Sequence, residues 1–279
     1  MISYKEIYEK LITQGWHIGS IKELFNEHTN VTEEQFEYWR QIFLKTAQNK
    51  NHHYVYRHNF LSQNNPQSYL HLPNYTGPTP SPDEFLQEVP MDGIKKRKQF
   101  VSDVIAGGAT NVRTTQQWAR LNIATYTPEL PLYEMQDFFD SLVRSHTAMI
   151  YPELLTKKDT FRLATGFSLY EDGDFSEVHY DGINPGRACV IIIYFSDSES
   201  WQEGDGGELL VAENAQLLLS EGGKTTIPDN LENVGKVEKC IPVYGNYAIL
   251  DFSKFNIGHS IEMVNNKFKR FTQQTFVGP

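Results

Sequence analysis

Apolar positions recur at spacings of three and four along the first 50 residues, and capping signals stand directly before them: Ser20 with Glu23, and Thr32 with Gln35. These 50 residues therefore read as helices. After Thr32 come Phe36, Trp39, Phe43 and Ala47, one face of a helix that needs a partner surface. A second helical pattern, Leu132, Met135, Phe139, Leu142, Val143 and His146, predicts a helix over 131–149 with Pro131 in its first turn. From about residue 161 the pattern changes to short runs rich in Val, Ile, Tyr and Phe, separated by EDGD, NPG, GDGG, EGG and YGN. Those are strands and turns, spaced as in a sandwich or barrel. Between the helical stretches, residues 61–93 are polar and rich in Pro, with PTPSPDE at 78–84, which suits an extended surface connection, a linker or a lid. No internal repeat is present. The predicted organisation is α+β: a mainly helical N-terminal region with a Pro-rich connection over 1–115, and a strand-rich domain with a supporting helix over 116–279.

Charge narrows the function classes. The 279 residues carry 25 Lys and Arg against 35 Asp and Glu, a net charge of −10, and the pI is about 5.4. Nucleic-acid clamps draw most of their affinity from phosphate neutralisation and are usually basic, so that partner is excluded. The run Lys95-Lys96-Arg97-Lys98 reads as a solvated helix face. Cys189 and Cys240 are the only cysteines, too few for a disulfide scaffold, and a reduced cytoplasmic setting is expected. No stretch approaches the roughly 20 apolar residues of a membrane span, and the start MISYKEIYEKL is too charged for the apolar heart of a signal peptide. With 15 Tyr and 17 Phe, aromatic rings are expected to carry much of the core and line any pocket.

One constellation in the strand-rich half carries chemistry. In Val178-His179-Tyr180-Asp181, an imidazole and a carboxylate two residues apart point to the same side of an extended strand. An isolated histidine, His259, follows 80 residues later. Two His nitrogens and one carboxylate oxygen occupy one face of an octahedral ion and leave three positions open, an arrangement suited to non-haem Fe(II) that activates oxygen. Alone, H-x-D is a common tripeptide. The stretch GHSIEMVNNKFKRFTQQTF from Gly258 to Phe276 adds to it, because Asn265-Asn266 suits a two-residue hairpin turn. With strands paired around that turn, Ile261 faces Arg270 and His259 faces Thr272. His259, Ile261, Met263, Phe268, Arg270 and Thr272 then share one face, and Glu262, Lys267 and Lys269 the other. A guanidinium on an apolar face needs an anionic partner. Arg270 sits two residues along this ladder from His259, roughly 7 Å, about the length of a five-carbon dicarboxylate. A 2-oxo acid could chelate the metal at one end and meet Arg270 at the other. The alternative is an internal salt bridge from Arg270 to an acid such as Glu208 or Asp251.

With HYD at 179–181, GGEL at 206–209, IPVYGNYAILDF at 241–252, His259, and Arg270 eleven residues on, the sequence resembles the Fe(II)/2-oxoglutarate-dependent oxygenases, and within them is most similar to the prolyl 4-hydroxylase group. The resemblance covers about residues 160–278. It implies a double-stranded β-helix, the cupin-like jelly roll, with helices packed against one sheet, N-terminal ones among them. It implies that His179, Asp181 and His259 are the metal triad and that Arg270 takes the distal carboxylate of 2-oxoglutarate. Arg rather than Lys at this position matches the oxygen-sensing kind of prolyl 4-hydroxylase. By the same resemblance Tyr194, in GRACVIIIYFSD from Gly186, donates to that carboxylate, and Tyr170 lies near the cosubstrate or the target; Thr272, on the inner face with His259 and Arg270, is a further candidate for the cosubstrate site. The implied cofactors are Fe(II), 2-oxoglutarate and O2, with ascorbate as a candidate reductant. The implied reaction is oxidative decarboxylation to succinate and CO2 coupled to hydroxylation of a C–H bond. Related halogenases carry a small residue where this chain has Asp181, so hydroxylation is favoured over halogenation. The insertion LSEGGKTTIPDNLENVGKVEK at 219–239 and the longer N-terminal part depart from the family and are expected to shape the entrance.

The implied substrate is a prolyl residue in a peptide or protein; a free amino acid or other small metabolite is the alternative, and a non-catalytic cupin-like metal-binding module a more distant one. Arg270 and Thr272 speak against the module, which has no need of a dicarboxylate anchor. A nucleic-acid demethylase shares the triad but fits neither the charge nor the single basic run. Other residues have blander readings. His52, His53 and His58 lack a carboxylate or Cys at ligand spacing and read as part of a surface or core strand. Trp16, Trp39 and Trp118 read as core, Val190 to Ile193 as a barrel wall, and Cys189 and Cys240 as buried small hydrophobes. Trp201, between acidic turn residues, is a candidate cover for the active-site mouth or a chance exposure.

Overall fold

The computed structural model describes residues 2–48, 53–62, 112–121, 131–151, 162–172, 174–179, 189–216, 231–233, 235–252, 257–265 and 267–278. The expected Pro-rich connection, the basic run at 95–98, His52, Asp181 and most of the 219–239 insertion lie outside them. Three helices are described, α1 (Tyr4–Gln14), α2 (Glu33–Gln48) and α3 (Leu132–Ile150), with eleven strands: β1 (Trp16–Ser20), β2 (His53–Ser62), β3 (Val112–Leu121), β4 (Arg162–Tyr170), β5 (Phe175–His179), β6 (Cys189–Tyr194), β7 (Leu209–Gln216), β8 (Val237–Cys240), β9 (Asn246–Asp251), β10 (Ile257–Ile261) and β11 (Arg270–Gly278). Among the described residues, no helix is long and apolar enough to cross a membrane.

Strand order is β1-β9-β6-β11-β4-β3-β5-β10-β7-β8, with β2 on β3, and every pairing is antiparallel. Strand β3 joins two halves, since Ala119 and Arg120 pair with β4 while Gln116 and Gln117 pair with β5. It also spans the position where the boundary between 1–115 and 116–279 was expected. The result is the jelly-roll α+β fold that the strand spacing and the resemblance led us to expect.

Period-two alternation sorts the two cores. On β6, Ile191 and Ile193 join the cluster under the helices, with Phe36, Phe43, Phe139, Phe167 and Phe195; Val190, Ile192 and Tyr194 join the cluster between the sheets, with Leu209, Val211, Ile261 and Phe268. Both faces of β6 are covered, which is why its sequence is unbroken apolar rather than alternating. The ring of Phe195 lies 5.0 Å from Phe43 and 5.2 Å from Phe139, so this aromatic cluster is the seam between helices and sheet. Truncating one such ring costs on the order of 3–5 kcal/mol. Arg40 of α2 pins the same seam, donating from Nε to the Phe195 carbonyl at 2.8 Å and lying 4.5 Å over the Tyr244 ring.

Two expectations need correction. The first 50 residues are not all helical. Gly15, at φ 85°, ends α1, and Trp16–Ser20 then pairs with β9 as an edge strand. Ser20 and Glu23 do form a capping box, but over one 3-10 turn, Ile21–Leu24; Thr32 and Gln35 cap α2 as the sequence indicates. The second correction concerns the hairpin at Asn265-Asn266. Strand β10 pairs with β5 and β7, and β11 with β4 and β6, so the two strands are not partners. Residues 262–265 bond instead to the 205–208 loop: the Gly207 N–H donates to the Glu262 carbonyl at 3.1 Å, and that of Asn265 to the Asp205 carbonyl at 2.7 Å. A local turn signal lost to a crossing between sheets, because each strand there gains two neighbours instead of one.

A buried polar chain holds the N-terminal segment to the sheet. His17 Nε2 is 2.9 Å from Glu23 Oε2, the Tyr247 hydroxyl donates to the same oxygen at 2.8 Å, and His146 Nε2 is 3.4 Å from the Tyr247 oxygen. Full burial of His146 lowers its pKa from 6.5 to about 3. The unfolded chain therefore takes up a proton below 6.5 that the folded one refuses until about 3, and stability falls as pH drops through that window. Replacing His146 with Leu is expected to remove about 2 kcal/mol of the stability difference between pH 7 and pH 5. Urea denaturation of both proteins at the two pH values checks it; an unchanged difference refutes the neutral buried imidazole.

Candidate active site

Strand β11 begins with Arg270, whose side chain is wholly buried between the two sheets. Pairing sets its neighbours: Arg270 lies opposite Tyr170 on β4, and Thr272 lies opposite Ser168 on β4 and Tyr194 on β6. The guanidinium carbon sits 4.7 Å over the Tyr170 ring and 5.2 Å over the Tyr194 ring, so two aromatic faces hold it. Nη1 donates to Thr272 Oγ1 at 3.4 Å; Nε and Nη2 have no hydrogen-bond partner among the described residues, and the Tyr194 hydroxyl lies beside the guanidinium and the Cys240 thiol without a well-formed hydrogen bond. Burial raises the Tyr194 pKa well above its ordinary value, so the phenol stays a donor at neutral pH.

The internal salt bridge is not formed among the described residues. Asp251 accepts from the Tyr151 hydroxyl at 2.7 Å, on the helix side of the sheet. Glu208 is buried with Oε2 unpartnered, and burial, reinforced by the charge of Glu262, holds its carboxyl above the usual range. Arg270 Nε, Arg270 Nη2 and the Tyr194 hydroxyl thus lie together with no well-formed hydrogen bond among the described residues. Buried polar groups are almost always satisfied, so orphans grouped this closely mark a place built for an acceptor.

His259 sits on β10 between two partners, with its Cα paired to that of His179 on β5 and that of Val211 on β7. Its Nδ1 is 3.1 Å from the Ile257 carbonyl, an acceptor, so Nδ1 carries a proton and Nε2 is the nitrogen that a metal would take. Phe252 stacks on the ring at 6.4 Å and 29°. The backbone pairing places His179 beside His259. Ile261, Phe268, Arg270 and Thr272 are buried as expected of an inner face, whereas Met263 is 48% exposed on the crossing loop.

Among the described residues, three short segments meet at the Arg270 end of the barrel. Val264 N–H donates to the Asp174 carbonyl at 2.9 Å, and Lys269 pairs with Glu171 at 2.8 Å, which ties the 262–269 crossing to the EDGD turn. Gly206 and Gly207, at φ 72° and 81°, press against the same crossing. Trp201 donates from Nε1 to the Gly206 carbonyl at 3.0 Å, which ties it to this loop. Trp16 is core as expected and bridges the sheets by donating to the Ala212 carbonyl at 3.2 Å. Cys240 lies in the inner cluster, its thiol pushed up to about 12 by burial, and Cys189 is buried under the helices, so both are inert small side chains. Gly207 and Phe252 were missed as neighbours of the site; the first stood in the GGEL motif without a role, the second in ILDF.

Residues 165–278 match the model of the 2OG-Fe(II) oxygenase superfamily. Over those residues the chain is similar to that family. The 2OG-Fe(II) oxygenases use Fe(II), 2-oxoglutarate and O2. The residues present fit that set, since the Arg270 and Tyr194 orphans suit a carboxylate and the lone-pair nitrogen of His259, Nε2, suits a divalent metal. No curated protein sequence matches the chain. Among solved structures, a Pseudomonas putida prolyl-4-hydroxylase is 12% identical with a TM-score of 0.49, over 99% of this chain and 98% of that one. A Trichoplax adhaerens prolyl hydroxylase, solved with a hypoxia inducible factor peptide fragment, is 14% identical with a TM-score of 0.40, over 90% and 94%. A protein from Micromonospora carbonacea var. aurantiaca, complexed with 2-oxoglutarate, is 10% identical with a TM-score of 0.48, over 100% and 92%. At such identities these likenesses decide neither site residues nor substrate.

Proposed function

We propose that this chain is a 2OG-Fe(II) oxygenase, a hydroxylase acting on a prolyl residue of a peptide or protein, with His179, Asp181 and His259 as metal ligands and Arg270, Tyr194 and Thr272 as the seat of the cosubstrate's far carboxylate. The observation that carries the reading is the wholly buried guanidinium of Arg270, whose Nε and Nη2 have no hydrogen-bond partner among the described residues, beside the buried Tyr194 phenol. Bound together, Fe(II), 2-oxoglutarate and O2 supply oxidative decarboxylation to succinate and CO2 with insertion of one oxygen atom into a substrate C–H bond. The chain's own part is orientation and dryness. Arg270 meets the carboxylate through charge-assisted hydrogen bonds, Tyr194 adds a neutral donor, and the Tyr170 ring keeps the guanidinium from turning away. The His259 Nδ1–H bond to Ile257 fixes the tautomer that offers Nε2 to a metal. Leu209, Val211 and Ile261 line the inner face with apolar groups and exclude water. A reducing cytoplasmic setting suits two free, buried thiols and ferrous iron.

The prolyl substrate is supported by the resemblance of the HYD, GGEL and Arg270 pattern to the prolyl 4-hydroxylase group. Full-length protein incubated with Fe(II), ascorbate, O2 and 2-oxoglutarate should form succinate faster with proline-containing peptides than with free proline or other amino acids, and the peptide should gain the mass of one oxygen. Stimulation by a free amino acid alone refutes the peptide reading and leaves the hydroxylase chemistry standing.

A further inference from the structure

We infer that Gly207 is a positioning residue for Arg270, its missing side chain setting how the guanidinium meets the far carboxylate of a 2-oxo dicarboxylic acid. The inference rests on the anchor role proposed above for Arg270. A Cβ built on Gly207 comes 3.4 Å from Arg270 Cδ, 3.3 Å from Phe268 Cε1 and 3.2 Å from Val264 Cγ2. All three neighbours are buried in the core between the sheets, so none can swing into solvent to make room. The backbone cannot retreat either, because the Gly207 N–H is bonded to the Glu262 carbonyl. A methyl group at this point therefore crowds Val264 and Phe268 and fills the space against the arginine stem, whose head is stacked on Tyr170 and Tyr194.

The preceding glycine does a different job. A Cβ on Gly206 comes 1.9 Å from the Met263 carbonyl oxygen, so that position is about backbone approach. At Gly207 the tight contacts are to the Val264 and Phe268 side chains, with the Arg270 stem at van der Waals distance beside them, so a small shift of this packed wall, Arg270 included, relieves them. The φ of 81° strains any L side chain, but a single such residue leaves a Gly207→Ala protein able to fold. What changes is alignment. Bidentate recognition of a carboxylate tolerates little displacement, whereas chelation of a metal by the other end of the ligand does not involve Arg270.

The test compares two ligands of the same metal-loaded, full-length protein without O2: 2-oxoglutarate, which has a far carboxylate, and oxalate, which has none. By calorimetry, Gly207→Ala should bind 2-oxoglutarate about tenfold more weakly and oxalate unchanged. In turnover, the KM for 2-oxoglutarate should rise by a similar factor while kcat at saturation stays within about twofold. Phe268→Leu, which loosens the same wall, should weaken 2-oxoglutarate about threefold and again spare oxalate, so the inference stays testable if the alanine protein fails to fold. Equal losses for both ligands, or no loss for 2-oxoglutarate, overturn it. Should Arg270→Met bind 2-oxoglutarate as well as the parent chain does, the anchor reading itself falls and the role of Gly207 with it; weakening by Arg270→Met with none by Gly207→Ala removes Gly207 alone.

Discussion

Replacing Arg270 with Met is expected to raise the KM for 2-oxoglutarate by about a hundredfold or more, because two or three hydrogen bonds involving charge are each worth about 1.5–3 kcal/mol. The same substitution should leave the ligand-free protein as stable as before, or more so. A buried guanidinium with Nε and Nη2 unpaired carries a desolvation cost that an apolar chain of similar length does not. Part of that gain is offset by the loss of stacking on Tyr170 and Tyr194, worth about 0.5–2 kcal/mol. Mass action supplies a further sign. A ligand that binds only the folded state raises the melting temperature, so 2-oxoglutarate should stabilise the parent protein and fail to stabilise the Arg270→Met variant. Differential scanning calorimetry with and without 2-oxoglutarate separates the outcomes. An Arg270→Met protein that is strongly destabilised without ligand, yet still responds to 2-oxoglutarate, shows that Arg270 serves packing and not binding.

Replacing His259 with Ala is expected to abolish turnover. The imidazole is one of the three proposed protein ligands, and the two that remain hold a labile ferrous ion poorly. The folding cost should be modest, about 1–2 kcal/mol, since the ring is buried against Phe252 and its Nδ1 bonds to the Ile257 carbonyl. The measurement pairs iron content after gel filtration with succinate formation. Loss of both with a near-normal thermal transition is the expected result. A protein that keeps its iron and its activity shows that His259 is a core histidine.

How legible this was from the sequence differs by element. Helices α2 and α3 were readable because capping and apolar spacing agree with their tertiary environment: Thr32 and Gln35 cap α2, and Leu132, Met135, Phe139, Leu142, Val143 and His146 all face the core. Strand β1 was not readable. Five residues after a helix carry almost no periodicity, and only pairing with β9 makes them a strand. The hairpin expected at Asn265-Asn266 shows the opposite failure, a local signal that is real but overruled. Alternation alone still gave the correct faces for His259, Ile261, Phe268, Arg270 and Thr272, because inward and outward parity survives a change of partner strand. The 7 Å spacing drawn from that hairpin does not survive, since the two strands lie in different halves of the sheet. Gly207 was invisible for another reason: its importance lies in a contact with Arg270, 63 positions away, and in a positive φ that no spacing encodes.

The most direct measurement is the fate of 2-oxoglutarate labelled at its 1-carboxyl, in the presence of Fe(II)-loaded full-length protein. Labelled CO2 should appear with an equal amount of succinate, only when both Fe(II) and O2 are supplied, and it should be absent for His259→Ala and for Arg270→Met at low 2-oxoglutarate. Decarboxylation that is absent from the parent protein, or that persists undiminished in His259→Ala, contradicts the assignment of this barrel as a 2-oxoglutarate-dependent hydroxylase centred on His259 and Arg270.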